Sequence, residues 1–249
     1  MIEQEDNDMS EEALQHQYTK MDMFKQGVVT GIPITLGYIP VAITFGVLAM
    51  QSGLTLLELT MMSAIVYAGA SQFMGVNMIV AQASMIEIVI ATFVLNFRHF
   101  IMSLSFMNTI RDHVSLKGRI GISLGLTDES FALASMNQEK GDNHKAVYFY
   151  TGIFLSGYLA WVIGSLIGGV LGEVIPPKLS ESMGIALYAL FISLLVPSVK
   201  REKRYGLIAL IAMLINTIAV QFMSSGWAIV VGTVLGGLSG VILLKEKSI

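Results

Sequence analysis

Hydrophobic runs of membrane-crossing length recur along this chain, separated by short polar stretches. Residues 27–50 carry no charge and predict a first span, which Pro33 and Pro40 should kink or break, since each removes a backbone donor. Residues 57–82 predict a second span, with the small-residue centre "YAGASQ". Residues 85–107 predict a third, residues 120–136 a fourth, and residues 147–172, uncharged over 26 positions, a fifth. A short span over 183–197 should end at Pro197. Residues 205–244 then hold 40 uncharged positions, about 60 Å of helix at 1.5 Å per residue. That is twice the hydrocarbon thickness, so "SSG" at 224–226 reads as a hairpin turn between two spans. The predicted fold is all-α: a polytopic integral membrane protein of 7–8 transmembrane segments with broken or kinked helices.

Composition agrees with that pattern. Hydrophobic residues make up 54% of the 249 and charged residues only 13%, against about 25% in soluble domains. The net charge of −3 hides an asymmetry. Residues 1–22 hold seven acids and one base, which leaves 14 bases and 11 acids beyond them. Residues 1–22 therefore read as an acidic, disordered cytoplasmic tail and residues 23–249 as a single transmembrane domain. The tail lacks a basic n-region and a small-residue cleavage site, so it does not read as a secretory signal. With the N-terminus inside, ten Lys/Arg face the cytoplasm and four face out, as the positive-inside rule favours. There are no cysteines, and the four histidines are scattered, so neither a metal nor a cofactor is expected.

Two glycine ladders resemble each other: Gly164/Gly168/Gly172 in "WVIGSLIGGVLG" and Gly232/Gly236/Gly240 in "WAIVVGTVLGGLSG". They read as helix-packing faces and allow an internal repeat. "SQFM" (71–74) and "VQFM" (220–223) echo each other too.

Ionisable residues inside apolar runs are the candidate chemistry. "LNFRHFIMS" sets Arg98 and His99 in mid-span, where a charge costs about 2.5–3.5 kcal/mol on insertion scales. Such a charge persists only if paired, hydrated or useful. Asn96 shares a helix face with His99, whose imidazole can pass protons near neutral pH. "GLTDESFAL" places Thr127, Asp128 and Glu129 in another apolar stretch and looks like a helix cap, so a half-helix can begin there and present free N–H groups. Adjacent carboxylates point about 100° apart on a helix, so both can meet one polar cavity only if the helix is broken. "YAGASQF" brings Ser71 and Gln72 to an unwound segment or a tight helix contact; both readings stand. An Arg98–Asp128 ion pair that serves folding alone is the competing structural reading. Glu58 and Glu87 read as interfacial. Ser239 in "GLSG" echoes the serine of intramembrane proteases, but no histidine follows it.

The motifs "PVAITFGVLA" (40–49), "SAIVYAGASQF" (63–73), "NFRHFIMSLS" (96–105), "LTDESFAL" (126–133) and "GYLAWVIGSLIGGVLG" (157–172) together resemble the AzlC family of branched-chain amino acid exporters. The resemblance implies a multi-pass protein of a bacterial cell membrane that exports small amino acids. It also implies a small hydrophobic partner subunit of the AzlD type. Such a substrate is a zwitterion with an apolar side chain. Arg98 or a half-helix N-terminus would suit its carboxylate, Asn96, Asp128 or Glu129 its ammonium, and Tyr67, Phe73 and Phe131 its aliphatic part. Asp128, Glu129 or His99 could couple transport to protons. No phosphate-cradling G-x-x-x-x-G-K-[ST] motif occurs, so a secondary-active transporter is expected and not an enzyme. A channel and a non-transporting membrane scaffold are the alternatives.

Overall fold

A computed structural model describes residues 19–111, 114–139, 145–176, 178, 182 and 185–245. Most of the acidic tail therefore lies outside the described residues. The described residues form ten α-helices and no strand. In chain order these are α1 (Lys20–Gln51), α2 (Leu56–Ile65), α3 (Gly69–Val80), α4 (Met85–Thr109), α5 (Leu116–Ser123), α6 (Asp128–Met136), α7 (Ala146–Gly172), α8 (Ile185–Arg201), α9 (Arg204–Ala219) and α10 (Ser225–Lys245). By length and apolar character, α1, α4, α7 and α10 can cross a bilayer. Large apolar side chains are exposed along them, among them Phe93, Phe97 and Phe100 on α4. Lipid covers such a surface at no cost.

Hydrocarbon supplies no water for the free N–H groups at a helix start, so side chains must supply the acceptors. They do so repeatedly. The Thr19 hydroxyl accepts from the Asp22 N–H at 3.2 Å while the Asp22 carboxylate takes the Thr19 N–H at 2.9 Å. Thr55 with Glu58 and Ser84 with Glu87 form the same reciprocal box at the starts of α2 and α4. Glu58 and Glu87, read from sequence as interfacial, are thus capping residues.

Several boundaries differ from the sequence expectation. Pro33 and Pro40 do not break α1, because each removes one donor from a 32-residue helix and the remaining ladder carries through. Pro197 lies inside α8, which continues to Arg201. The turn between the last two helices occupies residues 220–224, and Ser225 already belongs to α10. The expected second and fourth spans are each a pair of short helices. The α2–α3 break holds Tyr67 at φ 42°, the left-handed region that a bulky residue rarely enters. The α5–α6 break spans residues 124–127.

The chain packs as two compact units. The first comprises residues 1–39 and 99–161, the second residues 40–98 and 162–249. In the first unit α1 and α7 meet through glycines. A Cβ on Gly27 would strike the Phe149 carbonyl, and one on Gly152 would come within 2.8 Å of the Val28 nitrogen. Phe106, Tyr150 and Phe154 stack around them, with Phe106 and Tyr150 centroids 5.0 Å apart and perpendicular. In the second unit the same two helices meet again. A Cβ on Gly46 would lie 2.6 Å from the Gly169 nitrogen, and one on Gly168 would lie 2.8 Å from the Ile43 Cα. Gly164 and Gly172 are buried on the same stripe, and Gly172 faces Val47 and Met50. The second ladder lies against α9: Gly232 on Asn216, Gly236 on Ala212 and Gly240 on Ile208. Small residues let helix backbones approach where no hydrophobic force drives association.

Candidate functional site

The two helix breaks carry Ser71, Gln72, Thr127, Asp128 and Glu129, whereas Asn96, Arg98 and His99 lie within the unbroken α4. In the first unit, the break between α5 and α6 ends at Thr127, the N-cap of α6. Its hydroxyl accepts the Ser130 N–H at 3.3 Å, and the Ser130 hydroxyl takes the Thr127 N–H at 2.8 Å. A serine therefore closes the box, which leaves both carboxylates of the first turn for other work. Glu129 receives a hydrogen bond from the Tyr38 hydroxyl at 2.5 Å, and the same phenol oxygen lies 2.7 Å from the Thr127 hydroxyl. Tyr38 is buried and its ring meets Trp161 edge-on at 5.5 Å, which fixes the position of the phenol oxygen. Asp128 and Glu129 are half-buried at the positive end of the α6 dipole. Phe131 is also half-buried, one turn into that helix.

In the second unit, the α2–α3 break brings a different set together. Ser71 on the first turn of α3 donates to Asn96 on α4 at 2.5 Å. Gln72 donates to Ser63 of α2 at 3.0 Å, and Ser63 donates to Ser165 of α7 at 2.8 Å. These three side chains are fully buried. Ser165→Ala would leave the Ser63 hydroxyl without that acceptor and should cost about 1–3 kcal/mol of stability. A lowered thermal midpoint of the detergent-solubilised protein checks this, with Ser165→Thr expected to retain most of it. The backbone N-cap of α3, Ala68, has no side-chain hydrogen bond, unlike Thr127 at α6. Tyr67 and Phe73 are buried, and Phe73 packs edge-on against Phe45 at 5.4 Å. Arg98 is half-buried with its Nε shielded from solvent, and His99 is half-buried beside it.

Arg98 belongs to the second unit and Asp128, Glu129 and His99 to the first. Within each unit the structure joins Thr127 to Glu129, Ser71 to Asn96, and Gln72 to two serines. Sequence reasoning missed four members: Tyr38, Trp161, Ser63 and Ser165. Ser63 and Ser165 are polar residues inside apolar runs, the signal that drew attention to Ser71, but serines so placed are common in packed membrane helices. Tyr38 in "LGYIP" gave no hint of its partner. Ser239, the residue that echoed a protease serine, donates to the Gly236 carbonyl of its own helix at 2.6 Å.

The family profile described as "AzlC protein" matches residues 33–175, more than half of the chain. The chain belongs to the AzlC family. That stretch contains both helix breaks, all of the polar residues above except Ser239, and the first glycine ladder. A membrane protein of Archaeoglobus fulgidus is 33% identical over 90% of this chain and 99% of its own length. The "Inner membrane protein YgaZ" of Escherichia coli is 31% identical over 88% of this chain and 90% of its own. The "Branched-chain amino acid transport protein AzlC" of Bacillus subtilis is 25% identical over 73% of this chain and 70% of its own. No solved structure matches the chain. This AzlC-family protein is an all-α polytopic membrane protein, and its charged and amide side chains at the helix breaks lie within the part that defines the family.

Proposed function

We propose that this protein exports small apolar amino acids of the branched-chain class across the cell membrane, driven by protons. The observation that carries the reading is the Tyr38–Glu129–Thr127 cluster, a carboxylate held by a buried phenol at the start of a short helix inside an apolar stretch. An ionisable group at such a place is costly unless paired, hydrated or functional, and is a functional-site candidate by default. The Bacillus subtilis relative's name supports the substrate class.

The roles divide by chemistry. Arg98 suits a substrate carboxylate, because its planar fork matches two carboxylate oxygens. Asn96, oriented by Ser71, can add one amide contact to either end of a zwitterion. Glu129 takes up a proton on one side of the membrane and releases it on the other, exchanging its hydrogen bond with Tyr38 as it does so. Asp128, adjacent to Glu129, and His99, on α4, are the other ionisable candidates for coupling. A small hydrophobic AzlD-type subunit completes the transporter in this reading.

Radiolabelled leucine efflux from preloaded cells tests it, with and without an AzlD-type subunit. Expected is saturable efflux above vector-only cells that collapses when the proton gradient is dissipated. Counterflow of unlabelled leucine should persist without the gradient, as a carrier requires and a channel does not allow. Normal membrane insertion with no movement of any amino acid, subunit present, would favour the scaffold reading.

A further inference from the structure

The second unit contains a cavity of about 500 Å³, of whose lining only Phe73 was named above as a candidate substrate contact. Side chains from α3, α4, α8, α9 and α10 line it. Phe73 and Ile229 represent its apolar majority, and Asn77, Tyr188, Asn216 and Ser225 supply its polar groups. Among the described residues no charged side chain lines it. Its size falls within the roughly 300–1,000 Å³ of small-molecule sites, and its mix of apolar walls with a few uncharged polar groups is typical of them.

Asn216 gives the cavity its chemical demand. Its Oδ1 is buried and has no hydrogen-bond partner among the described residues. Its stem is pressed against α10, where a Cβ on Gly232 would come within 2.9 Å of the Asn216 Cβ. A buried carbonyl left unmet costs about 1–3 kcal/mol, and rotation of the amide toward a donor in the cavity that Asn216 lines removes that cost. An ion is a poor occupant, since none of the described lining side chains carries a charge to offset its desolvation.

We propose that this cavity binds an uncharged amphiphile: an aliphatic body carrying a hydroxyl or primary amide that donates to Asn216. A free alcohol or amide and the glycerol end of a neutral lipid share this chemistry, and the experiment separates them.

The chain has two tryptophans, and Trp227 lies between the lining residues Ser225 and Ile229. Trp161→Phe makes Trp227 the sole reporter in the full-length protein. Its fluorescence is titrated with 6-bromohexan-1-ol, using 1-bromohexane and 6-bromohexanoate as controls of similar length. Expected is saturable quenching by the alcohol alone, weakened at least ~tenfold by Asn216→Leu. Ile229→Phe, which fills the space and leaves Asn216 intact, should abolish it and guards against a poorly folded Asn216 variant. Displacement of the bromoalcohol by monooctanoylglycerol identifies a lipid source, and resistance to it a free solute. Quenching that is linear, equal for bromohexane and unchanged in both variants would mean that the cavity holds only water, and would overturn the proposal.

Discussion

Glu129→Gln should abolish gradient-driven leucine efflux, with at least a ~tenfold loss, while the protein still inserts and folds. The substitution keeps the length and shape of the side chain and one oxygen to accept from the Tyr38 hydroxyl. It removes only the capacity to carry a proton. Counterflow separates two explanations: retained exchange assigns Glu129 to proton coupling, and lost exchange assigns it to substrate binding. Efflux equal to wild type would make the carboxylate structural and shift attention to Asp128 and His99. Tyr38→Phe is the partner experiment. It leaves Glu129 and Thr127 without the buried phenol, and a hydrogen bond to a charged group contributes about 1.5–3 kcal/mol. Tyr38→Phe should therefore lower both stability and transport, whereas Glu129→Gln should act on transport alone.

The second large effect concerns packing. Gly168→Ala should destabilise the protein by at least about 3 kcal/mol, at the upper end of overpacking costs. Its new Cβ would run into the Ile43 carbonyl and lie 2.8 Å from the Ile43 Cα, and backbone cannot rotate aside as a side chain can. Gly37→Ala is the matched control in α1, because a Cβ there meets nothing within 4 Å. An alanine inside a helix is intrinsically favoured over glycine by about 0.8–1.0 kcal/mol, so the control should match or exceed wild type. Thermal unfolding in detergent, followed by loss of the monodisperse species, reads both. Equal midpoints for the two variants would show that α1 and α7 can separate without penalty.

Much of this was legible from residue types. Arg98, His99, Asp128 and Glu129 stood out because charge is expensive in apolar runs, and Thr127 announced a helix start through capping chemistry. The glycine ladders announced close helix contacts through spacing alone. The α2–α3 break was legible only as a cluster of small residues, because the residue in the left-handed conformation is Tyr67 and not a glycine. Pro33 and Pro40 pointed to a break that does not occur, since a long helix tolerates single lost donors. Tyr38 could not be paired with Glu129 from sequence: 91 residues separate them, and tertiary packing alone sets the pairing. The same holds for Ser63 and Ser165, 102 residues apart.

The glycine seam between α1 and α7 also sets a schedule for biosynthesis. Gly46 and Gly168 pack on each other's helices, so the first helix made has no permanent neighbour on that face until α7 leaves the ribosome. At roughly 5–20 residues per second, that interval is on the order of ten seconds. During it α1 sits in the bilayer with a stripe of exposed backbone, open to whatever helix lies nearby. Overexpression, which crowds the membrane with such half-made chains, is the condition under which this protein would be expected to pair wrongly.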